Sequence, residues 1–107
     1  LSNGIEQTDG KIFKMCGLVP CVVNMTNRLD ISRFGYISIN NKNDIEIARG
    51  HEFHYSKLKA VLEDTRKFKA TKKDGRSWEC IFNEKKLYAG YPHLHFFGSY
   101  KFIEEVF

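Results

Sequence analysis

Two alternating runs decide the fold of this chain: Gly35-Tyr36-Ile37-Ser38-Ile39-Asn40, then, after the Asn-rich link 41–43, Asp44-Ile45-Glu46-Ile47-Ala48-Arg49. Apolar and polar side chains alternate in both runs, which is the period of a strand that buries one face. The short link between them is typical of a turn between antiparallel strands. The sequence therefore predicts a β-hairpin over residues 35–49.

The segments before this hairpin contain fewer strand signals. Residues 1–11 are polar and turn-rich, and residues 24–33 are polar, so both are expected to be irregular. Residues 12–23 are apolar, but Gly17 and Pro20 interrupt them. We expect only one short strand and a loop there.

The segments after the hairpin predict a strand-rich region with a helical end. Residues 58–68 fit neither the strand nor the helix period well, so a strand and a short helix both remain open. Residues 78–82 and 86–91 read as two further strands. From Ser99 onward, Tyr100, Ile103 and Phe107 recur at helical spacing, which predicts a short amphipathic helix that buries this stripe.

Composition and charge narrow the class of protein. The chain has 107 residues, 42% of them hydrophobic and 14% aromatic, which suits at most one folded domain. The net charge of +4 comes largely from a basic stretch over residues 57–76. Few aromatic side chains accompany these charges, so we expect a solvated surface and no nucleic-acid partner. No apolar run is long enough to span a membrane.

The cysteines bear on the compartment. Cys16, Cys21 and Cys80 are an odd number without a paired C-x-x-C spacing, and no secretory signal opens the chain. This pattern is typical of buried thiols in a reducing compartment, so a cytoplasmic location is expected.

The four histidines of the chain fall into two clusters. One is Arg49-Gly50-His51-Glu52-Phe53-His54-Tyr55-Ser56, and the other is Tyr91-Pro92-His93-Leu94-His95-Phe96. Both lie at or just after the ends of predicted strands, and such ends can be neighbours in a single sheet. A shared site is therefore expected, and its chemistry has three interpretations: a metal centre, acid–base catalysis, or a hydrogen-bonded core.

The spacing and surroundings of these residues bear on the first two interpretations. Imidazoles and Glu52 would suit zinc, yet His51 and His54 are one residue short of the H-E-x-x-H spacing and would point to opposite faces of a strand. Acid–base work needs a thiol or another nucleophile beside an imidazole. None of the three cysteines lies on an exposed nucleophile elbow.

Five stretches together resemble a known family. They are Met15-Cys16-Gly17-Leu18-Val19-Pro20, Met25-Thr26-Asn27-Arg28-Leu29, Phe34-Gly35-Tyr36, the octet 49–56, and Gly90-Tyr91-Pro92-His93-Leu94-His95-Phe96. In this order they resemble the C-terminal part of the cobyrinic acid a,c-diamide synthases, a branch of the cobyrinate/cobyrate-type class I glutamine amidotransferases. The octet and the second histidine cluster are the specific signals, and the resemblance runs along nearly the whole chain.

The resemblance implies a fold and an activity. The fold would be α/β, the strand-rich C-terminal part of a flavodoxin-like, three-layer amidotransferase domain that ends in a short helix. In this family an N-terminal domain uses ATP and Mg²⁺ to activate a corrin side-chain carboxylate. The amidotransferase domain hydrolyses glutamine, and the released ammonia attacks the activated acid. Cobyrinate and hydrogenobyrinate are both open as the corrin substrate.

The resemblance also assigns residues. His93 matches the histidine that serves as general base to a nucleophilic cysteine, and His95 stands where other class I amidotransferases have the glutamate of their triad. His51, Glu52, His54 and Tyr55 match a loop beside the active site and, with His95, are expected to shape the glutamine pocket or a contact with the synthetase domain. What orients His93 is left open.

The resemblance further implies that residues 1–107 are the C-terminal portion of the domain. The family's cysteine stretch, of the form C-G-G-x-x-Y-L, and a phosphate-binding G-x-x-x-x-G-K-[ST] pattern do not occur in these residues. The chain alone is expected to be inactive, to hold no metal or cofactor, and to self-associate through uncovered sheet edges. The alternative is a stand-alone, histidine-rich β-domain that binds a metal or a partner.

Overall fold

The computed structural model describes residues 1–106, which form strands, one 3₁₀ turn and one short α-helix. The strands are Ser2–Glu6 (β1), Ile12–Lys14 (β2), Val19–Met25 (β3), Gly35–Asn40 (β4), Glu46–Glu52 (β5), Ser56–Val61 (β6), Arg66–Thr71 (β7), Ser77–Glu84 (β8), Leu87–Ala89 (β9) and His93–Leu94 (β10). The 3₁₀ turn is Phe96–Gly98 and the α-helix is Tyr100–Val106 (α1). The predicted strand-rich α/β character with a short terminal helix is confirmed.

The chain divides into two compact units. Unit 1 comprises Leu1–Phe34 and Phe53–Thr65, and unit 2 comprises Gly35–Glu52 and the chain from Arg66 onward. Unit 1 holds a four-stranded sheet in the order β2-β1-β3-β6, in which β1 and β3 are parallel and the other pairs are antiparallel. Unit 2 holds a six-stranded antiparallel sheet in the order β10-β5-β4-β7-β8-β9.

Two strands of unit 1 correct the sequence predictions. β1 lies in the stretch expected to be irregular, and β3 runs through Pro20 to Met25. Proline lacks a backbone N–H and is therefore tolerated at bulges. The ladder between β1 and β3 shifts register at this point, between the pairs Ser2–Val19 and Gly4–Val22. The proline thus lies in an irregular step of the strand and does not end it.

The stretch 58–68 is also different from the prediction of a single strand or helix. It contains the end of β6 and the start of β7, which belong to different sheets and are separated by the bend 62–65. Two strands in different environments explain why neither period fitted the whole stretch.

The predicted hairpin is confirmed as β4 and β5, and a side chain holds its turn. The Asn41 carboxamide oxygen accepts the backbone N–H groups of Asn43 at 2.9 Å and Ile45 at 3.1 Å. Such local bonds explain why asparagine favours turns. In the six-stranded sheet, β10 pairs with β5 on one side of this hairpin and β7 pairs with β4 on the other.

The core of unit 2 lies between one face of this sheet and α1. Ile39 and Ala70 are fully buried, and the rings of Phe68 and Phe102 lie 5.5 Å apart. Val106, one helical turn after Phe102, packs against the same cluster. Hereafter this is the covered face, and the opposite face is the open face.

The helix itself is confirmed, but its buried stripe differs from the prediction. Tyr100 is 66% exposed and Phe102 is only 5% exposed, so Phe102 rather than Tyr100 is the helix's anchor in the core. Phe107, the last member of the predicted stripe, lies outside the described residues. Within residues 1–106, no helix is long and apolar enough to cross a membrane.

Candidate functional site

The two histidine clusters meet at the edge of the six-stranded sheet. β10 pairs antiparallel with β5, and His93 is the direct register partner of His51. Their imidazole rings stack with centroids 4.9 Å apart and planes 26° from parallel. The prediction that the clusters converge is confirmed for these two histidines.

Gly50 makes this close pairing sterically feasible. A Cβ atom at position 50 would lie 2.3 Å from the His93 carbonyl oxygen and 3.1 Å from the Leu94 side chain. A contact of 2.3 Å to backbone requires the strand to move, so only glycine admits β10 at its present position. Gly50 is not among the residues that the sequence predicts for the site, although a glycine inside a strand is a signal of close backbone approach.

A third ring extends the contact across the next strand. Tyr36 on β4 is the register partner of His51, and its ring lies 6.5 Å from the His51 ring in an edge-on geometry. Tyr36 is 88% exposed, and both histidines are exposed as well. The three rings form a ladder across β4, β5 and β10 on the open face, hereafter the ring ladder.

An open groove of about 360 Å³ lies beside the ring ladder. It is lined by Tyr36, Arg49, Gly50, His51, His93, Leu94 and His95. An exposed imidazole on a hydrogen-bonded strand can exchange a proton with a group presented in such a groove. The geometry therefore suits acid–base chemistry at His93.

Arg49 is held at the groove by its own strand. Its Nε–H donates to the Glu46 carboxylate at 2.7 Å, and the Ser38 hydroxyl donates to the same carboxylate at 2.7 Å. The Ser38 hydroxyl and then the Arg49 guanidinium lower the pKa of Glu46 below its ordinary value. A register shift between Ile39 and Asn40 lets Glu46 and Arg49, three residues apart, share this face.

Glu52 follows His51 but lies in the interior. Its side chain is only 1% exposed, and its Oε1 atom accepts a hydrogen bond from the Trp78 indole N–H at 3.1 Å. Successive residues of a strand point to opposite faces, so His51 and Glu52 cannot line one surface of β5. The Glu52 side chain therefore does not line the groove, and it can affect the groove only by stabilising the strand that carries His51.

His95 lies just beyond β10, where the 3₁₀ turn begins. Its carbonyl oxygen accepts the Gly98 N–H at 3.0 Å, and its ring lies 6.5 Å from the Phe97 ring. His95 lines the groove but, unlike His93, it is not part of the strand pairing. On an extended segment the alternating residues His93 and His95 would share a face, but β10 ends at Leu94, so His95 lies outside the strand.

His54 and Tyr55 belong to unit 1. The His54 Nδ1–H donates to the Ser56 carbonyl at 2.8 Å, and the Tyr55 ring lies 5.7 Å from the Phe53 ring. The His54 carbonyl accepts the N–H of Asp30, a buried residue. Burial alone would raise the pKa of the Asp30 carboxyl. The hydrogen bond from the Ser32 hydroxyl and the nearby positive groups outweigh this effect, so the pKa lies below its ordinary value. These bonds order the end of the octet within its own unit.

The other chemical groups can be placed as well. Cys16 is exposed in unit 1, whereas Cys21 in unit 1 and Cys80 in unit 2 are buried. Among residues 1–106, no three His, Cys, Asp or Glu side chains lie close enough to hold one metal ion.

Comparison with known proteins identifies relatives. A protein from Fusobacterium nucleatum subsp. nucleatum, named cobyrinate a,c-diamide synthase, is 91% identical over 107 residues, which are 100% of this chain and 24% of that protein. Proteins with the same name from Priestia megaterium and Thermoplasma acidophilum are 34% and 33% identical over 97% and 99% of the chain. The chain spans about a quarter of the length of these curated relatives.

The family comparison covers nearly the whole chain. No solved structure matches it significantly. The family model for the CobB/CobQ-like glutamine amidotransferase domain matches residues 1–101 and so includes both histidine clusters and the ten strands of the described residues 1–106. The strand-rich architecture agrees with the class I amidotransferase-like fold that the motifs imply. The chain therefore belongs to the CobB/CobQ-like glutamine amidotransferase domain family.

Proposed function

We propose that this chain is part of the glutamine-hydrolysing domain of an ATP-dependent cobyrinic acid a,c-diamide synthase, in which His93 is the general base. The family match over residues 1–101 and the 91% identity to the Fusobacterium nucleatum protein support the enzyme class. The observation that carries the role of His93 is its geometry: an exposed imidazole, fixed on β10 against β5, at the edge of an open groove.

In the proposed reaction, His93 transfers protons while a thiol forms and breaks bonds. The imidazole takes the proton of a cysteine thiol, and the thiolate attacks the side-chain amide carbon of glutamine. The C–N bond then breaks as the imidazolium returns the proton to the leaving nitrogen, which departs as ammonia. Water hydrolyses the remaining glutamyl thioester, with His93 taking a proton from the water and returning one to the sulfur.

The thiol in this proposal is the elbow cysteine of the family pattern. Cys80, the cysteine of unit 2, is buried in the core beneath the covered face, so it does not reach a substrate in the groove. The proposed roles around His93 follow from position. His51 and His95 line the groove, and Glu52 supports the sheet from within. His54 and Tyr55 belong to unit 1.

We propose that ATP, Mg²⁺ and the corrin bind to parts of the enzyme other than residues 1–107. Residues 1–107 contain no G-x-x-x-x-G-K-[ST] pattern, so these residues do not fit an ATP site of that kind. Ammonia from glutamine would attack the carbonyl carbon of a corrin carboxylate activated as its phosphate, and the C–O bond would break as phosphate leaves to give the amide. We propose that this reaction takes place in the cytoplasm, which the odd number of cysteines supports.

The decisive experiment compares two nitrogen sources in the full-length enzyme. We expect His93→Ala to abolish amidation with glutamine and to leave amidation with free ammonia intact, because only glutamine hydrolysis needs the base. Lys86→Ala, an exposed residue outside the groove, is the matched control and should use both sources normally. Equal loss of both activities in His93→Ala, or full retention of both, would refute the assignment.

A further inference from the structure

We infer that Gly50 and His51 together position His93: Gly50 allows the close approach of the β10 backbone, and the His51 ring stacks on the His93 ring. This inference rests on the proposed function of His93 and answers what orients its imidazole. His51 is thus a positioning residue that acts through His93.

The first support is the short length of β10. It has only two residues, His93 and Leu94, and it pairs with β5 at the edge of the sheet. Two ladder pairs fix the backbone of His93 but do not by themselves set the rotamer of its exposed side chain. Something other than the backbone must therefore select its rotamer.

The second support is the stacking itself. The His51 and His93 rings are nearly parallel at 4.9 Å, a separation within the range that aromatic pairs favour. His51 is in turn held on its other side by the Tyr36 ring at 6.5 Å. The ladder supplies a flat surface that fixes the plane of the His93 imidazole, and hence the direction in which its nitrogens point.

The third support is the backbone approach at Gly50. A Cβ there would meet the His93 carbonyl at 2.3 Å, whereas a Cβ at Gly98, in the adjacent 3₁₀ turn, would meet nothing closer than 3.9 Å. An added methyl group at position 50 would therefore push His93 away from His51, and the same group at position 98 would not. These two glycines form a matched pair for a test.

The activity test uses the full-length enzyme with glutamine and with free ammonia. A catalytic group displaced by about 1 Å can lose about 100-fold in rate. We expect His51→Ala and Gly50→Ala to lower kcat for glutamine by about that factor with KM little changed. Ammonia-dependent amidation should stay normal, and Gly98→Ala should resemble the unmodified enzyme.

A conservative variant separates positioning from chemistry at His51. His51→Phe keeps a flat ring but has no titratable nitrogen, so it should recover most of the rate that His51→Ala loses. If His51→Phe is as impaired as His51→Ala, the imidazole nitrogens matter and the stacking inference is overturned. This comparison also remains informative where Gly50→Ala fails to fold.

A spectroscopic readout is independent of turnover. With ¹³C-labelled histidine, the His93 ring signal is assigned by its loss in His93→Ala. It should move in His51→Ala because the ring current of the stacked neighbour is lost, and it should move less in His51→Phe. If His93→Ala is inactive but His51→Ala shows normal kcat and an unmoved His93 signal, this inference fails while the proposed function stands. If His93→Ala keeps full glutamine use, the proposed function itself fails.

Discussion

The two faces of the six-stranded sheet in unit 2 differ in what holds their side chains in place. On the covered face, Ile39 and Ala70 are fully buried and Phe102 of α1 packs over them. On the open face, Tyr36, His51 and His93 are exposed, and the His51 ring stacks on the His93 ring and lies edge-on to the Tyr36 ring. Stability therefore comes mostly from one face and the proposed chemistry from the other, so substitutions on the open face can test function in a folded protein.

The largest expected contrast between the faces is in the free energy of unfolding. Ile39→Ala should lower it by about 2–5 kcal/mol, because it removes a fully buried side chain and leaves a cavity. Tyr36→Ala, three residues away on the open face, should change it by no more than about 0.5 kcal/mol. Denaturant unfolding of both variants checks this. Similar losses in the two variants would show that the open face is covered by other parts of the protein.

The second prediction concerns Glu52, the buried neighbour of the exposed His51 on β5. Glu52→Ala should lower the free energy of unfolding by about 1–3 kcal/mol, because it leaves the partly buried Trp78 indole N–H without this acceptor. Glu52→Gln keeps an acceptor oxygen and should cost less. Trp78 is the only tryptophan of these 107 residues, so its fluorescence follows unfolding of the chain directly.

A double-mutant cycle isolates this bond from the rest of the carboxylate's surroundings. In a Trp78→Phe background the N–H is already absent, so Glu52→Ala should cost measurably less there than in the unmodified protein. Equal costs in both backgrounds would mean that the Trp78 bond contributes nothing to the stability of the covered face.

Sequence periodicity predicted the elements whose two faces differ most. The hairpin of β4 and β5 alternates because one side packs on the core and the other is exposed, and this alternation is visible in the letters. β1 and β3 were missed because their sequences carry turn residues and a proline, and their strand state depends on pairing with distant partners. Phe102 was missed because the helical stripe was drawn through Tyr100.

The site could be predicted in part for a similar reason. Motifs placed both histidine clusters at strand ends, and the pairing of β10 with β5 brings His51 and His93 together. Motifs did not reveal that Glu52 is interior, because the family octet reads as one loop, whereas Glu46–Glu52 is a strand whose side chains alternate. The stacking of two rings is set by register, which single-sequence patterns do not fix across forty residues.

The smallest expected effect concerns the other glutamate of β5, Glu46, on the open face. Its carboxylate holds Arg49 and accepts from Ser38, and both lower its pKa in the folded state. The unfolded carboxyl, with a pKa of about 4.3, therefore binds protons at a higher pH than the folded one. This contribution to stability is present above that pH and is lost as the pH falls through the lower, folded pKa.

Glu46→Gln should therefore lower the free energy of unfolding by less than about 1 kcal/mol at pH 7, since exposed ion pairs contribute little. The difference from the unmodified protein should shrink as the pH falls below about 4, and it should also shrink in concentrated salt, which screens exposed charges. Urea unfolding at pH 7 and at pH 3 measures it. A pH-independent difference would show that Glu46 stabilises the sheet by packing, and the open face would then share the character of the covered one.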